Sequence, residues 1–238
     1  MLLVILLTAL VAGFVQSVTG FGGAVVMMMT LPHFFPMKIS TALAGLLTIP
    51  MCLELVWMYR QKIHPRKVLF PALIYLLSSG FFIRLAAGID LEGLKAAFGL
   101  LLMALAAYFN FFSQRIHIRA NVPTALVCGG FSGLTGGLFG IGGPLMVLYY
   151  LSTTKDKEEY LGTINLLFTI TESYSALLRY QHGFFSSVQG NLILCGVVAI
   201  LIGRCFGSRV VDRLDGEKLK KLVYLLLALS GLITFLRA

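Results

Sequence analysis

The chain has 238 residues, 58% of them apolar and only 12% charged, with a mean hydropathy of +0.90. A soluble domain of this length carries about a quarter charged residues, so water is excluded as the main solvent. The formal charge of +9 has no basic tail or aromatic-interleaved patch behind it, which argues against nucleic acid; in a membrane protein, Lys and Arg collect in cytoplasmic loops.

Eight apolar segments follow one another, near 1–31, 38–59, 67–88, 93–112, 122–151, 160–179, 187–206 and 218–236. A bilayer crossing needs about 20 apolar residues. Long continuous runs, rather than short alternating ones, predict helices and not barrel strands. The opening MLLVILLTALVAG has no basic flank, and apolar character resumes at Ala24. It is read as membrane structure rather than a leader.

The first and fifth segments are longer than a crossing requires and are broken by glycine. Gly13, Gly20, Gly22 and Gly23 coincide with Gly133, Gly140, Gly142 and Gly143 at an offset of 120. This register predicts an internal duplication, 1–120 and 121–238, forming one transport unit. If every segment crosses once, the Lys and Arg residues divide 11 against 8 between the two sides. If the broken segments are re-entrant, dipping in and returning, the second half is inverted. One side then holds 14 of the 19 basic residues, which the positive-inside rule prefers. The expected fold is therefore an all-α integral membrane protein of two inverted repeats, each a glycine-broken re-entrant segment plus three transmembrane helices. Both termini lie outside the cytoplasm, with loops 60–67, 113–121, 152–159 and 207–221 inside.

A break inside a membrane helix frees backbone polar groups, tolerable only where protein or a wet cavity receives them. The return helices starting near Ala24 and Pro144 aim partial positive charge at the tips, a recipe for an anion site. Inversion would make the two tips face each other near mid-membrane. The candidate substrate-binding set is Gln16, Ser17, Thr19, Gly20, Gly22, Gly23, Thr135, Gly140, Gly142, Gly143 and Asn165, with Thr169 and Ser173 nearby. Gly129, Gly133 and Gly137 form a small-residue ladder of the packing kind.

Glu54 and Glu172 lie deep in segments two and six. An acidic group at that depth is a functional candidate, either coupling transport to a proton or locking helices together. Arg84 and Arg204 end segments three and seven, where snorkelling to headgroups is expected. The cysteines (Cys52, Cys128, Cys195, Cys205) have no CxxC spacing, so no metal or cofactor site is expected and small buried thiols are; Cys128 is the best placed to meet a sulfur substrate. Gly130-Phe131-Ser132-Gly133 has the GxSG form of intramembrane serine proteases. A serine nucleophile needs a nearby base, and His33, His64, His117 and His182 all fall at segment ends or in loops, so no enzyme is expected.

GFVQSVTGFGGAVV and SGLTGGLFGIGGPLMV, each opening a four-segment half, resemble the TauE/SafE family of sulfite exporters. The stretch GGLFGIGGP is the most specific part. The first half is looser, with Thr19-Gly20-Phe21 where the family is often richer in glycine. The resemblance implies transport of a small anion across the cell membrane, sulfite or an organosulfur oxyanion, coupled to an ion gradient of H⁺ or Na⁺. A passive anion channel is the alternative. Substrate, direction, coupling ion and any homo-oligomer stay open.

Overall fold

The computed structural model describes residues 2–90, 92–108, 121–186, 188–210, 232 and 234–236. Among them are nine α-helices and no strand: α1 (Leu2–Thr19), α2 (Gly23–Thr30), α3 (Met37–Tyr59), α4 (Pro65–Gly88), α5 (Lys95–Ala107), α6 (Val122–Phe139), α7 (Gly143–Thr153), α8 (Lys157–Gln181) and α9 (Gly190–Val210). The eighth apolar segment and most of loops 113–121 and 207–221 lie outside the described residues.

Both broken segments break where the glycines predict. α1 ends at Thr19 and α2 begins at Gly23, while α6 ends at Phe139 and α7 begins at Gly143. The helix ends thus keep the sequence offset of 120. At the turns Gly20 and Gly140 both adopt the left-handed region, with φ of 78° and 70°. A side chain there would press Cβ against its own carbonyl, so the helix stops at these two residues.

Among the described residues, four stretches are long and apolar enough to cross a membrane: Met37–Lys62, Pro65–Gly88, Val122–Phe139 and Gly190–Arg209. α8 has the length, 25 residues, but carries more polar groups. It packs against α3, α4 and α7 and buries Asn165, Thr171, Glu172, Ser175 and Arg179 inside the bundle. Its exposed stripe, Ile170, Ser173, Leu177 and Tyr180, recurs at helical spacing. Polar groups at this depth are expected to face inward, away from lipid.

Small residues set the helix spacing. On α9, Gly203 lies against the Leu10 carbonyl and Gly207 against Phe14 and Ser17, while Gly13 of α1 meets the Ile200 carbonyl. α1 and α9 therefore run parallel in close contact. α4 and α6 are built alike: Gly129 faces Pro71 and Ile74, Gly133 faces Tyr75 and Ser78, and Gly137 faces Ser79 and Phe82. A Cβ at Gly133 would stand 2.7 Å from the Tyr75 carbonyl, closer than packed atoms tolerate. α3 and α8 lie side by side and antiparallel. Gly162 at the start of α8 faces Tyr59 at the end of α3, and Gly45 early in α3 faces Glu172 and Arg179. Two apolar cores result, one around α1, α2, α3, α5 and α9, the other around α4, α6, α7 and α8.

Candidate functional site

The first break is held by side chains. Oε1 of Gln16 accepts from the Gly23 amide at 3.1 Å, one of the α2 amides that has no carbonyl partner within its own helix. The other end of Gln16 donates to Sγ of Cys52 on α3 at 3.5 Å. From the second half, Nδ2 of Asn165 donates to the Gly20 carbonyl at 3.3 Å and to Leu161 at 2.8 Å. Gly20 itself rests on Tyr160 and Leu161 of α8.

The second break is held by a cation. Nη2 of Arg179 donates to the Gly136 carbonyl at 2.7 Å and to Gly137 at 3.4 Å. These are last-turn carbonyls of α6, where the helix dipole favours positive charge. Arg179 is wholly buried, and its Nε and Nη1 have no hydrogen-bond partner. Gly140 rests on Thr41 of α3, and the Tyr75 hydroxyl fills the space between Gly136 and Gly142.

Because α3 and α8 are antiparallel, Thr41 and Leu161 lie at opposite ends of the pair. Gly20 and Gly140 thus rest on opposite ends of that pair, while Gly22, also left-handed with φ of 96°, borders one cavity together with Gly140. The residues that follow each break meet beside the middle of α3 and α8. A cavity of about 30 Å³ is lined by Gln16, Gly22, Ala24 and Val25 from the first break and by Gly140 to Gly143 from the second. Thr48, Cys52, Phe168 and Glu172 close it, all near the middle of α3 or α8. Pro50, inside α3, removes one backbone hydrogen bond at this level. The space suffices for one or two waters.

Of the residues singled out from sequence, Gln16, Gly22, Gly140, Gly142 and Gly143 line this cavity. Gly20, Gly23 and Asn165 support its walls. Ser17 bonds back to the Phe14 carbonyl and faces α9. Thr135 bonds back to Phe131 and Ser132, and Thr169 to Asn165; Ser173 is exposed. The Thr19 side chain lies outside the described residues.

The two acidic candidates separate. Glu172 is buried and lines the cavity. Glu54 faces α9 and pairs with Arg204, which is buried rather than snorkelling; Arg84 is exposed. Of the thiols, Cys52 lines the cavity while Cys128 is buried between α6 and its neighbours. The Ser132 hydroxyl is buried without a partner.

Arg179 escaped the sequence reading, which placed it at a segment end. The signal was its spacing: Asn165, Glu172 and Arg179 recur every seven residues and so share one face of a helix.

Apolar helices packed through glycine, with polar groups turned inward around a mid-depth cavity, define a multi-pass membrane protein. The chain belongs to the sulfite exporter TauE/SafE family, whose model matches residues 5–234. That is a family of membrane transporters, which implies movement of a solute rather than catalysis. Neither a curated protein nor a solved structure matches the chain.

Proposed function

We propose that this protein is a secondary transporter of a small oxyanion, sulfite or an organosulfur anion, across the cell membrane. Two inverted repeats, 1–120 and 121–238, alternate access around the cavity between the breaks. The observation that carries the reading is that both broken segments contribute the start of a return helix to one cavity. First-turn amides have no carbonyl partner in their own helix and carry the positive end of its dipole, so the lining suits an anion and selects by charge and size.

Three further features support inversion. Exchanging the halves maps the α1–α9 contact onto α6–α4, α3–α8 onto itself, and α4–α8 onto α9–α3, all of which are formed. The rest of Gly20 on Leu161 maps onto that of Gly140 on Thr41. Loops that a single-crossing chain would put on opposite sides also touch: Lys67 pairs with Glu159, and Lys38 lies over the Phe184 ring, 5.8 Å from its centroid.

The test is uptake of radiolabelled sulfite into proteoliposomes with and without an imposed proton or sodium gradient. Accumulation above the outside concentration that collapses with the gradient supports a coupled carrier. Entry that stops at equality whatever the gradient supports the channel instead.

A further inference from the structure

Arg179, in the last turn of α8, is a wholly buried cation with two free donor nitrogens, a position that requires a return for its desolvation. Its known bonds, to the Gly136 and Gly137 carbonyls, use only Nη2. Nε and Nη1 are buried and unpartnered. The fold makes room for them by omission. A Cβ at Gly45 would sit 3.3 Å from Nη1 of Arg179 and 2.5 Å from Oε2 of Glu172, so both charged groups flank one bare glycine. Glu172 stands two helical turns before Arg179 on the same face of α8 and lines the cavity. Its carboxyl borders the cavity and shares the Gly45 face with the guanidinium without bonding to it. The other titratable groups facing Glu172 are Cys52 from α3 and Tyr75 from α4; α1, α2 and α7 present amides and apolar groups there.

Resting on the transport reading above, we propose that Arg179 is the cationic ligand of the transported oxyanion and that the Glu172 carboxylate holds its place while the site is empty. A carboxylate and a sulfur oxyanion offer the same thing to a guanidinium, oxygen acceptors carrying negative charge. Both cannot occupy the space in front of Arg179, because like charges at contact distance repel strongly in a low-dielectric interior. The anion therefore enters when Glu172 takes a proton from the medium and swings or stays aside as the neutral acid. On the far side the anion leaves, Glu172 releases the proton, and its carboxylate again balances the charge of Arg179 across Gly45. Proton and anion cross together, and the charge beside Arg179 stays balanced in both states.

Binding of radiolabelled sulfite to the full-length protein in detergent or nanodiscs tests this with four chains: wild type, Glu172→Gln, Arg179→Gln and Arg179→Lys. Arg179→Gln should lose roughly tenfold or more in affinity, the scale of a lost charged hydrogen bond, and Arg179→Lys should recover part of it. Glu172→Gln should bind more tightly than wild type in mildly alkaline buffer and equally in acid, where wild-type Glu172 is already protonated. The ratio of those two affinities cancels the probe's own titration. A folded Arg179→Gln chain with wild-type affinity overturns the proposal, as does a Glu172→Gln chain that tracks wild type at every pH. The second comparison stands even where Arg179→Gln fails to fold, since the Gly136 carbonyl loses its donor there. Wild-type protein that binds neither sulfite nor a short-chain alkanesulfonate overturns the transport reading itself.

Discussion

Lys67 and Glu159 are 92 residues apart in sequence, yet Nζ of Lys67 lies 2.5 Å from Oε1 of Glu159. The same ammonium donates to the Thr153 carbonyl at 2.8 Å, and the second carboxylate oxygen accepts from the Lys155 amide at 2.9 Å. Lys62 approaches Glu158 at 3.9 Å beside them. The end of α3 and the start of α4 are thus tied to the start of α8 at one end of the bundle.

Topology follows from that tie. Single cysteines introduced at Lys62 and Lys157, in a background stripped of native thiols, should react with an impermeant reagent from the same side. Labelling from opposite sides would contradict both the tie and the inverted arrangement.

Replacing Lys67 by Met leaves the Glu159 carboxylate, only 5% exposed, without its main partner. An unpaired charge at that burial costs about 2 kcal/mol or more, so thermal unfolding in detergent should begin measurably lower. Lys62→Met, whose pair with Glu158 is more than half exposed on both sides, should change stability by less than about 1 kcal/mol. Equal effects from the two changes would mean that the burial difference has no energetic consequence.

Glycines at the second break divide by what surrounds them. A Cβ at Gly142 would fall 2.7 Å from the Ser132 carbonyl and nearer still to the Tyr75 hydroxyl. Gly142→Ala should therefore destabilise the protein by about 3 kcal/mol, at the upper end for overpacking. At Gly143 the nearest atom is the rim of Phe168 at 3.3 Å, which can yield. Gly143→Ala should fold and lose anion affinity, because its methyl enters the cavity. Thermal unfolding together with a sulfite binding curve separates the two. A Gly143→Ala protein that binds like wild type would place the anion elsewhere.

Glu54 and Arg204 connect α3 to α9 through a pair with only Arg204 buried. Glu54→Gln should lower stability by roughly 1–2 kcal/mol, as one charged hydrogen bond is weakened, and leave gradient-driven uptake in place. Glu172→Gln should abolish the gradient dependence. If Glu54→Gln alone uncouples transport, the coupling group lies at the α3–α9 contact and not at the cavity.

Length, apolar runs and glycine placement made the all-helical class and the two helix breaks legible in the sequence. The breaks at Gly20 and Gly140 could be read because a left-handed residue in an apolar helix leaves few choices besides glycine. Side-chain partners could not. Glu54 and Glu172 looked equivalent by depth, but partnership depends on which neighbouring helix a face meets. Only packing shows that one meets Arg204 and the other a cavity. Arg179 was hidden for a related reason: an arginine at the end of an apolar run usually snorkels, and this one turns inward because Gly45 leaves space and the Gly136 carbonyl accepts from it. Ser17 and Thr135 satisfied their hydroxyls on their own helices, the common outcome for such residues in apolar surroundings.

Counterflow tests the central claim most directly, that a single site bordered by both breaks is exposed to one side at a time. Proteoliposomes loaded with unlabelled sulfite are diluted into a trace of labelled sulfite, with no ion gradient imposed. A carrier with alternating access gives a transient rise of label inside above its outside concentration, followed by decay. Label that climbs smoothly to equality without overshoot would contradict the account and leave a passive pore in its place.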